Sequence, residues 1–400
     1  MINQPSTILI AGAGPVGLTL AYLLGQRGIH VTVVEKDDAL IRDYRASTFH
    51  AGTLDLLEDT GISNALIAMG IQCPEVQYRT WREGVIATLD HALIAPETRH
   101  PYRLQCEQFK LSEWLLQALE ALPNVQVLYN TALRHFTQTD NDVHATLLDP
   151  SGPRNATFTY LIGADGGRGT TRKILDIPFE GFTYPERILV LGTRTDLRQL
   201  IPGLANVNYV ADPAHYAHIL RIPDMWRLSL PLPEDVPDEQ ALEDSYIRQR
   251  VEPLIQGFRV EDIAVKKVYG VHQRVAAQYG RGRAFLVGDA AHLNNPKGGM
   301  GLNGGLHDAV SLFNHLMAHW DDPATVLTRY EAQRRPEAIQ AIHKHTQANY
   351  NALKGVGVDR AALVDKWQAL ARDPDAQRQF LRDASMLTSL RRCGMLADAA

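Results

Sequence analysis

Residues Thr7 to Lys36 read TILIAGAGPVGLTLAYLLGQRGIHVTVVEK, and they leave the chain few choices of fold. Thr7 to Ala11 is a short apolar, β-branched run of the kind that fills a buried parallel strand. A glycine-rich turn follows (Gly12, Ala13, Gly14, Pro15, Val16, Gly17), and then LTLAYLLGQRG, with apolar residues at helical spacing. Beyond Gly28, IHVTVVEK forms a second strand that closes on Glu35 and Lys36. This is a βαβ unit whose glycines sit where a dinucleotide needs them. Gly12 permits the tight turn, Gly14 lets the backbone approach a pyrophosphate, and Gly17 lets helix and strand pack closely. Pro15 and Val16 open the helix, whose free N–H groups and positive dipole end favour phosphate. Glu35 is placed to accept hydrogen bonds from a ribose; its plainer alternative is a surface carboxylate. The unit does not distinguish NAD from FAD.

Composition narrows the class around that unit. Four hundred residues, 45% hydrophobic and 21% charged, describe a globular chain with ample length for a core. A net charge of −5 argues against a nucleic-acid binder, which carries a basic surplus. Cys73, Cys106 and Cys393 are far apart, odd in number and match no metal spacing, so no metal is expected and the thiols read as reduced. No apolar run approaches the roughly 20 residues that span a bilayer. MINQPSTILIAGAG lacks a positive leader region and enters a strand directly. The expectation is a soluble, cytoplasmic protein without a membrane or nucleic-acid partner, a monomer or homodimer.

Two further stretches decide the cofactor. YLIGADGGRGTTR (Tyr160 to Arg172) is an apolar strand, then Gly163-Ala164-Asp165-Gly166, then a helix start at Thr170 or Thr171. GRAFLVGDAAH (Gly282 to His292) is a strand ending in Gly288-Asp289, followed by Pro296 and the glycine-rich NNPKGGMGLN. With these motifs in this order, the chain resembles the class A flavoprotein aromatic hydroxylases, the family of para-hydroxybenzoate hydroxylase, over residues 5 to 345. The resemblance implies FAD as cofactor, NADPH or NADH as electron donor, and O2 and a small aromatic molecule as substrates. It implies hydroxylation of a phenol-like ring through a flavin C4a-hydroperoxide, with the protein positioning the ring and excluding water.

The resemblance also assigns residues. Asp289 is implied to bind the ribityl chain, and Arg45 and Gln105 to contact the flavin and its phosphates. Asp165 belongs to a signature linked to both FAD and the nicotinamide donor. Pro296 is implied to lie over the place where substrate and flavin ring meet, and Gly299, Gly301, Leu302 and Asn303 to run beside the pyrimidine edge of the flavin. There backbone N–H groups and a helix N-terminus stabilise negative charge on the reduced ring. Asn303 is also a good capping residue for the helix that follows. Without the resemblance, Arg45 and Gln105 read as a solvated arginine and a helix-capping glutamine, and the glycines as a plain loop.

Phe182 to about Gly270 reads as successive strands, with VQYRTWREGVIATL (Val76 to Leu89) joining them, which predicts an antiparallel sheet with one face solvated. The expected organisation is α/β: a discontinuous Rossmann-like FAD-binding domain (1–74, 100–180 and 271–340), an inserted sheet domain for substrate (75–99 and 181–270), and C-terminal helices (341–400). Substrate contacts are sought at Tyr209, Arg221 and Pro296, and acid–base candidates at His218 and His292. Arg221 is a candidate to hold a carboxylate bidentately, against the alternative of an exposed arginine on a two-faced sheet. His218 has the alternative of a packed sheet residue. A flavin-dependent reductase or halogenase on the same fold is the competing reading. The nearest match to a halogenase WxWxIP motif is MWRLSLP, with a single tryptophan. No second Rossmann unit for the nicotinamide is visible.

Overall fold

The structure is a computed structural model that describes residues 8–42, 44, 46–212, 215–354 and 360–398. Its first layer is a six-stranded sheet ordered Gly280–Arg281, Ala284–Leu286, Tyr160–Gly163, Ile8–Ala11, Val31–Val34, Val125–Leu128. All neighbours pair in parallel except the short Gly280–Arg281 edge. Ile8, Leu9 and Ile10 are fully buried, as an apolar strand covered on both faces must be. The helix Pro15–Gln26 covers one face and packs against the helices Gly301–Ala318 and Gln108–Glu120. The loops after Ala11 and Gly163 leave adjacent strands at the same end of the sheet. Such a crevice at the carboxyl ends of the strands is where open α/β sheets bind ligands.

The second layer is an eight-stranded sheet that gathers chain from both expected segments. Its order is His292–Leu293, Ile263–Ala276, Phe179–Thr193, Met225–Leu232, Ala217–Ile222, Val207–Val210, Glu75–Thr80, Gly84–Asp90. Alternation decides what each face carries. Trp226, Leu228 and Leu230 enter a core with Ile247 and Val251 of the helix Asp244–Val251, while Arg227 and Ser229 face the crevice. Phe179–Thr193 and Ile263–Ala276 are longer than the sequence reading allowed. They run antiparallel past a register break between Thr183 and Arg187 and reach from the second sheet to the first. An antiparallel meander of Ala132–Gln138, Val143–Asp149 and Gly152–Phe158 was not anticipated.

Helices occupy the end of the chain as expected, but they do more than cap it. Trp367 stacks on Tyr78 of the second sheet, with ring centroids 3.4 Å apart. Leu353, Leu363, Leu381 and Leu387 share that core with Val76, Tyr209 and Tyr216. Among the described residues, no helix is long and apolar enough to cross a membrane. All three cysteines are free thiols.

Behind the crevice the two layers are joined by a fully buried carboxylate. Asp308 accepts from Arg334 Nε at 2.8 Å and from the Gly288 N–H at 3.1 Å, and lies 2.8 Å from His292 Nε2. Burial works to raise its pKa, and the attraction of His292 and Arg334 outweighs this and holds it below the usual range. Removing one partner of such a buried pair strands a charge, at about 3–5 kcal/mol. Asp308→Ala is therefore expected to lower the unfolding free energy by about that amount, read from urea denaturation.

Candidate active site

One cavity of about 620 Å³ runs from the glycine turn of the first sheet to the crevice-facing side of the second. Its floor depends on Gly12. That residue has φ +108°, and a Cβ there would come 2.4 Å from the Ala164 carbonyl oxygen. Gly14 is the opposite case: a Cβ would meet no atom within 4 Å, so its backbone faces open space at the head of the helix Pro15–Gln26. Glu35 Oε2 accepts from the Ala13 N–H at 3.0 Å and Oε1 from the Asp37 N–H at 3.2 Å, which fixes the carboxylate and leaves further lone pairs for a ligand. Asp165 Oδ2 accepts from the Thr171 backbone and hydroxyl at 2.9 and 3.0 Å. Its Oδ1 is buried with no protein partner.

Gly12, Gly14, Pro15, Val16, Glu35, Lys36, Asp165, Asp289, Pro296, Gly299, Gly301 and Leu302, twelve of the residues assigned from the sequence, all line this cavity. Two helix N-termini therefore open into one space, at Pro15 and at Gly301. The open backbone at Gly14, the fixed Glu35 and the unpartnered Asp165 oxygen suit a long, phosphate-bearing dinucleotide, and the second N-terminus suits a ring that gains negative charge. FAD fits this donor set.

Three other assigned residues sit behind the wall. Gly17 is packed inside, where a Cβ would lie 2.2 Å from the Gly12 oxygen. Gln105 is fully buried and its Nε2 donates to Thr48 Oγ1 at 3.0 Å, so it braces a wall residue. Asn303 does not cap its helix: Nδ2 donates to Thr48 O (2.9 Å) and Gly299 O (2.7 Å), and Oδ1 accepts from the His50 N–H (3.0 Å). It stitches the glycine turn to the strand Thr48–Phe49. Arg45 lies outside the described residues.

The substrate candidates divide. His218 is in the cavity wall with Arg227, Ser229, Tyr269 and Val271. Burial, then the positive charges of Lys297 and Arg227, push its pKa well below the ordinary histidine value, and its Nε2 has no hydrogen-bond partner. Tyr209 is one ring farther back, edge-on to His218 at 5.2 Å. Arg221 is a correction. It is three residues from His218 on one strand, so it points to the opposite face, where it donates to Ile222 O at 2.9 Å and lies over Trp226. His292 is a second correction, since its ring is held by Asp308 behind the wall rather than beside the cavity.

Sequence reasoning missed two residues. Arg227 was legible in MWRLSLPL, where alternating apolar positions leave Arg and Ser for the other face; its Nη1 donates to Tyr44 O at 2.9 Å. Lys297 gave no signal. It follows Pro296, is fully buried, and places Nζ 3.2 Å from Glu186 Oε1 and 4.7 and 4.6 Å from the Tyr216 and Tyr350 rings. Burial pulls its pKa down to about 8 against the attraction of Glu186. Away from the cavity, Asp55, Glu58 and His100 bring three potential metal ligands together. Two protein contacts already hold them, His100 with Asp55 and Arg99 with Glu58, each at 2.7 Å.

The cavity lies between the parallel first sheet and a second sheet that is antiparallel except where Val207–Val210 runs parallel to Glu75–Thr80. The chain belongs to the family described as FAD binding domain, whose model matches residues 6–345, and within it to the class A FAD-dependent aromatic hydroxylases. It is 29% identical over 399 residues to a para-nitrophenol 4-monooxygenase of Pseudomonas sp. (strain WBC-3), covering 96% of each chain. A 6-hydroxy-3-succinoylpyridine 3-monooxygenase of Pseudomonas putida is also 29% identical, over 95% of this chain and 98% of that one. The crystal structure of a p-nitrophenol 4-monooxygenase from Pseudomonas putida superposes with a TM-score of 0.90, at 29% identity, over 96% of this chain and 98% of that one.

Asp289 sits exposed to the cavity at the end of the strand Ala284–Leu286. If Asp289 binds the ribityl chain as the resemblance implies, Asp289→Ala loses a charge-assisted hydrogen bond of about 1.5–3 kcal/mol, and the purified variant is expected to hold little FAD. The ratio of flavin to protein absorbance measures this. Full occupancy would remove Asp289 from the cofactor site.

Proposed function

We propose that the chain takes electrons from NADH or NADPH and uses O2 to hydroxylate a small phenol-type ring bound between His218 and the Pro296–Gly299 turn. The observation that carries this reading is the continuity of the cavity, which joins the glycine turn at Gly14 to the sheet face at His218. Cofactor and substrate thus share one continuous space. Bound FAD supplies the redox chemistry. The protein's part is to seat the ring, exclude water and control the proton of the ring hydroxyl.

His218 suits that last task as a hydrogen-bond acceptor. Kept neutral, the imidazole can take a hydrogen bond from the phenolic O–H and orient the ring. The guanidinium of Arg227 in the same wall, with Lys297 behind it, favours the phenolate, which is the more electron-rich form. The relatives supporting the reading are named as monooxygenases acting on a nitrophenol and on a hydroxypyridine, both hydroxylated aromatic rings.

Oxidation of NAD(P)H by the holoenzyme is expected to be slow alone and to rise sharply when a suitable phenol is added. Equal rates with and without any aromatic ligand would sink the hydroxylase reading. His218→Asn is expected to lower kcat/KM by roughly 100-fold through loss of ring orientation, with FAD retained. The pKa of His218 is depressed, so the residue gains charge only below the ordinary histidine range near pH 6.5. The wild-type rate should therefore hold through pH 6.5 and fall in more acid solution. The variant's profile should lack that fall.

A further inference from the structure

The turn between Asn294 and Asn303 carries one charged residue, Lys297, and the fold buries it completely. Pro296 and Gly299 on either side of it line the cavity. The Lys297 side chain runs behind that wall, to Glu186 of the strand Phe179–Thr193.

Three separate parts of the chain form the socket that receives it. Glu186 Oε1 lies 3.2 Å from Nζ. Tyr216, next to the strand Ala217–Ile222, and Tyr350, of the helix Lys344–Lys354, set their rings 4.7 and 4.6 Å from it. Glu186 is held in turn by the Tyr216 hydroxyl and by Lys354 Nζ, 3.2 Å from Oε2. An ammonium on a long flexible side chain is costly to bury, and only a set of partners like this one offsets it.

The backbone of the turn is tied down at the same point. Asn349 of that helix donates from Nδ2 to the Lys297 carbonyl at 3.3 Å, and Asn295 Oδ1 accepts from the Lys297 N–H at 3.1 Å. Asn295 Nδ2 donates to the Tyr184 hydroxyl at 3.1 Å. These bonds join neutral groups. Of the contacts named here that anchor the turn, only the seat of Lys297 depends on charge.

We propose that Lys297 is a positioning residue for the hydroxylation: seated in this socket, its ammonium holds the Pro296–Gly299 turn against the bound ring. This rests on the hydroxylase reading of the cavity. The two electrons of NAD(P)H reach O2 in either case. With the ring held in place, one oxygen atom enters it and the other leaves as water; with the turn slack, both leave as hydrogen peroxide.

The charge of Lys297 can be switched by pH. Burial pulls its pKa down to about 8 against the attraction of Glu186, so the group is charged below that pH and neutral above it. Its charged and titratable neighbours hold their state there. Burial works to raise Glu186, but Lys297, Tyr216 and Lys354 outweigh it and keep the carboxyl below its usual range. Burial, with Glu186, pushes the Tyr216 hydroxyl far up. Burial works to lower Lys354, and Tyr350 and Glu186 raise it, while His218 is held well below the ordinary histidine value by its own burial.

The test measures peroxide released per NAD(P)H oxidised by FAD-loaded enzyme with 4-nitrophenol and with 4-methylphenol, on both sides of pH 8. Wild type should release little peroxide below about pH 8 and more above it. Lys297→Met, which keeps the side chain's length without its charge, should release about 10-fold more at every pH, with no step. Glu186→Gln keeps the socket's shape but removes the attraction on the ammonium, so its step should move to lower pH. The ring's own ionisation is common to all three enzymes and explains no difference between them. Hydrogen exchange at residues 297–303, corrected for intrinsic rate and followed without substrate, should quicken through the same pH range. Melting curves and flavin content check folding; if Lys297→Met does not fold, wild type and Glu186→Gln carry the test. Absence of the wild-type step from either readout overturns the proposal. So does a step that persists in Lys297→Met or stays in place in Glu186→Gln. If neither phenol stimulates NAD(P)H oxidation by wild type while the exchange step appears and follows Lys297, the hydroxylase reading falls and the anchoring of the turn stands.

Discussion

The close approach of three backbones at Gly12 is the constraint on which this site depends. The turn after the first strand, the start of the helix Pro15–Gln26 and the loop at Ala164 meet with no space for a side chain at Gly12 or Gly17. That contact brings a helix N-terminus to the end of the sheet and holds the Ala13 N–H against Glu35. It also sets the Ala164–Asp165 turn against the head of that helix. The second glycine turn works through different partners. Asn303 and His50 tie it to neighbouring chain through side-chain hydrogen bonds rather than through a tight backbone crossing.

Electrostatics divides the cavity along its length. The first-sheet end carries fixed carboxylates at Glu35 and Asp165, which suit the hydroxyls of a sugar. The second-sheet end has Arg227 in its wall and Lys297 buried behind it, and His218 beside them is kept neutral by burial and by those same cations. Two positive groups beside a neutral acceptor form a region suited to an oxyanion.

What was legible in the sequence follows from the range of the interactions involved. The βαβ unit and the glycine turns are local, and each residue type is dictated by backbone geometry a few positions away. Gly12, Gly14 and Glu35 could therefore be located at the turn from the sequence alone, whereas Asp289 was singled out by the family resemblance; all four line the cavity. Arg221 failed for want of one parity argument. His218 and Arg221 share a strand, and only knowing which side faces the crevice tells them apart. Lys297 was out of reach, because what marks it is burial, and burial is set by chain segments far away in sequence. The meander from Ala132 to Phe158 was likewise hidden, since its alternation is short and interrupted by turns.

The stacking of Trp367 on Tyr78 has a consequence for how the molecule is made. The two rings belong to opposite ends of the chain, and Leu353, Leu363 and Leu381 join the same core. During synthesis the first sheet's early strands and the helix between them can pack long before those residues emerge. The sheet face beneath Tyr78 cannot, and it stays apolar and uncovered until nearly the whole chain is out. Contacts of such long sequence separation form late and slowly, and exposed apolar sheet surface favours aggregation meanwhile. The sheet face around Tyr78 and Tyr209 is thus completed only once Leu353 to Leu387 are available to cover it.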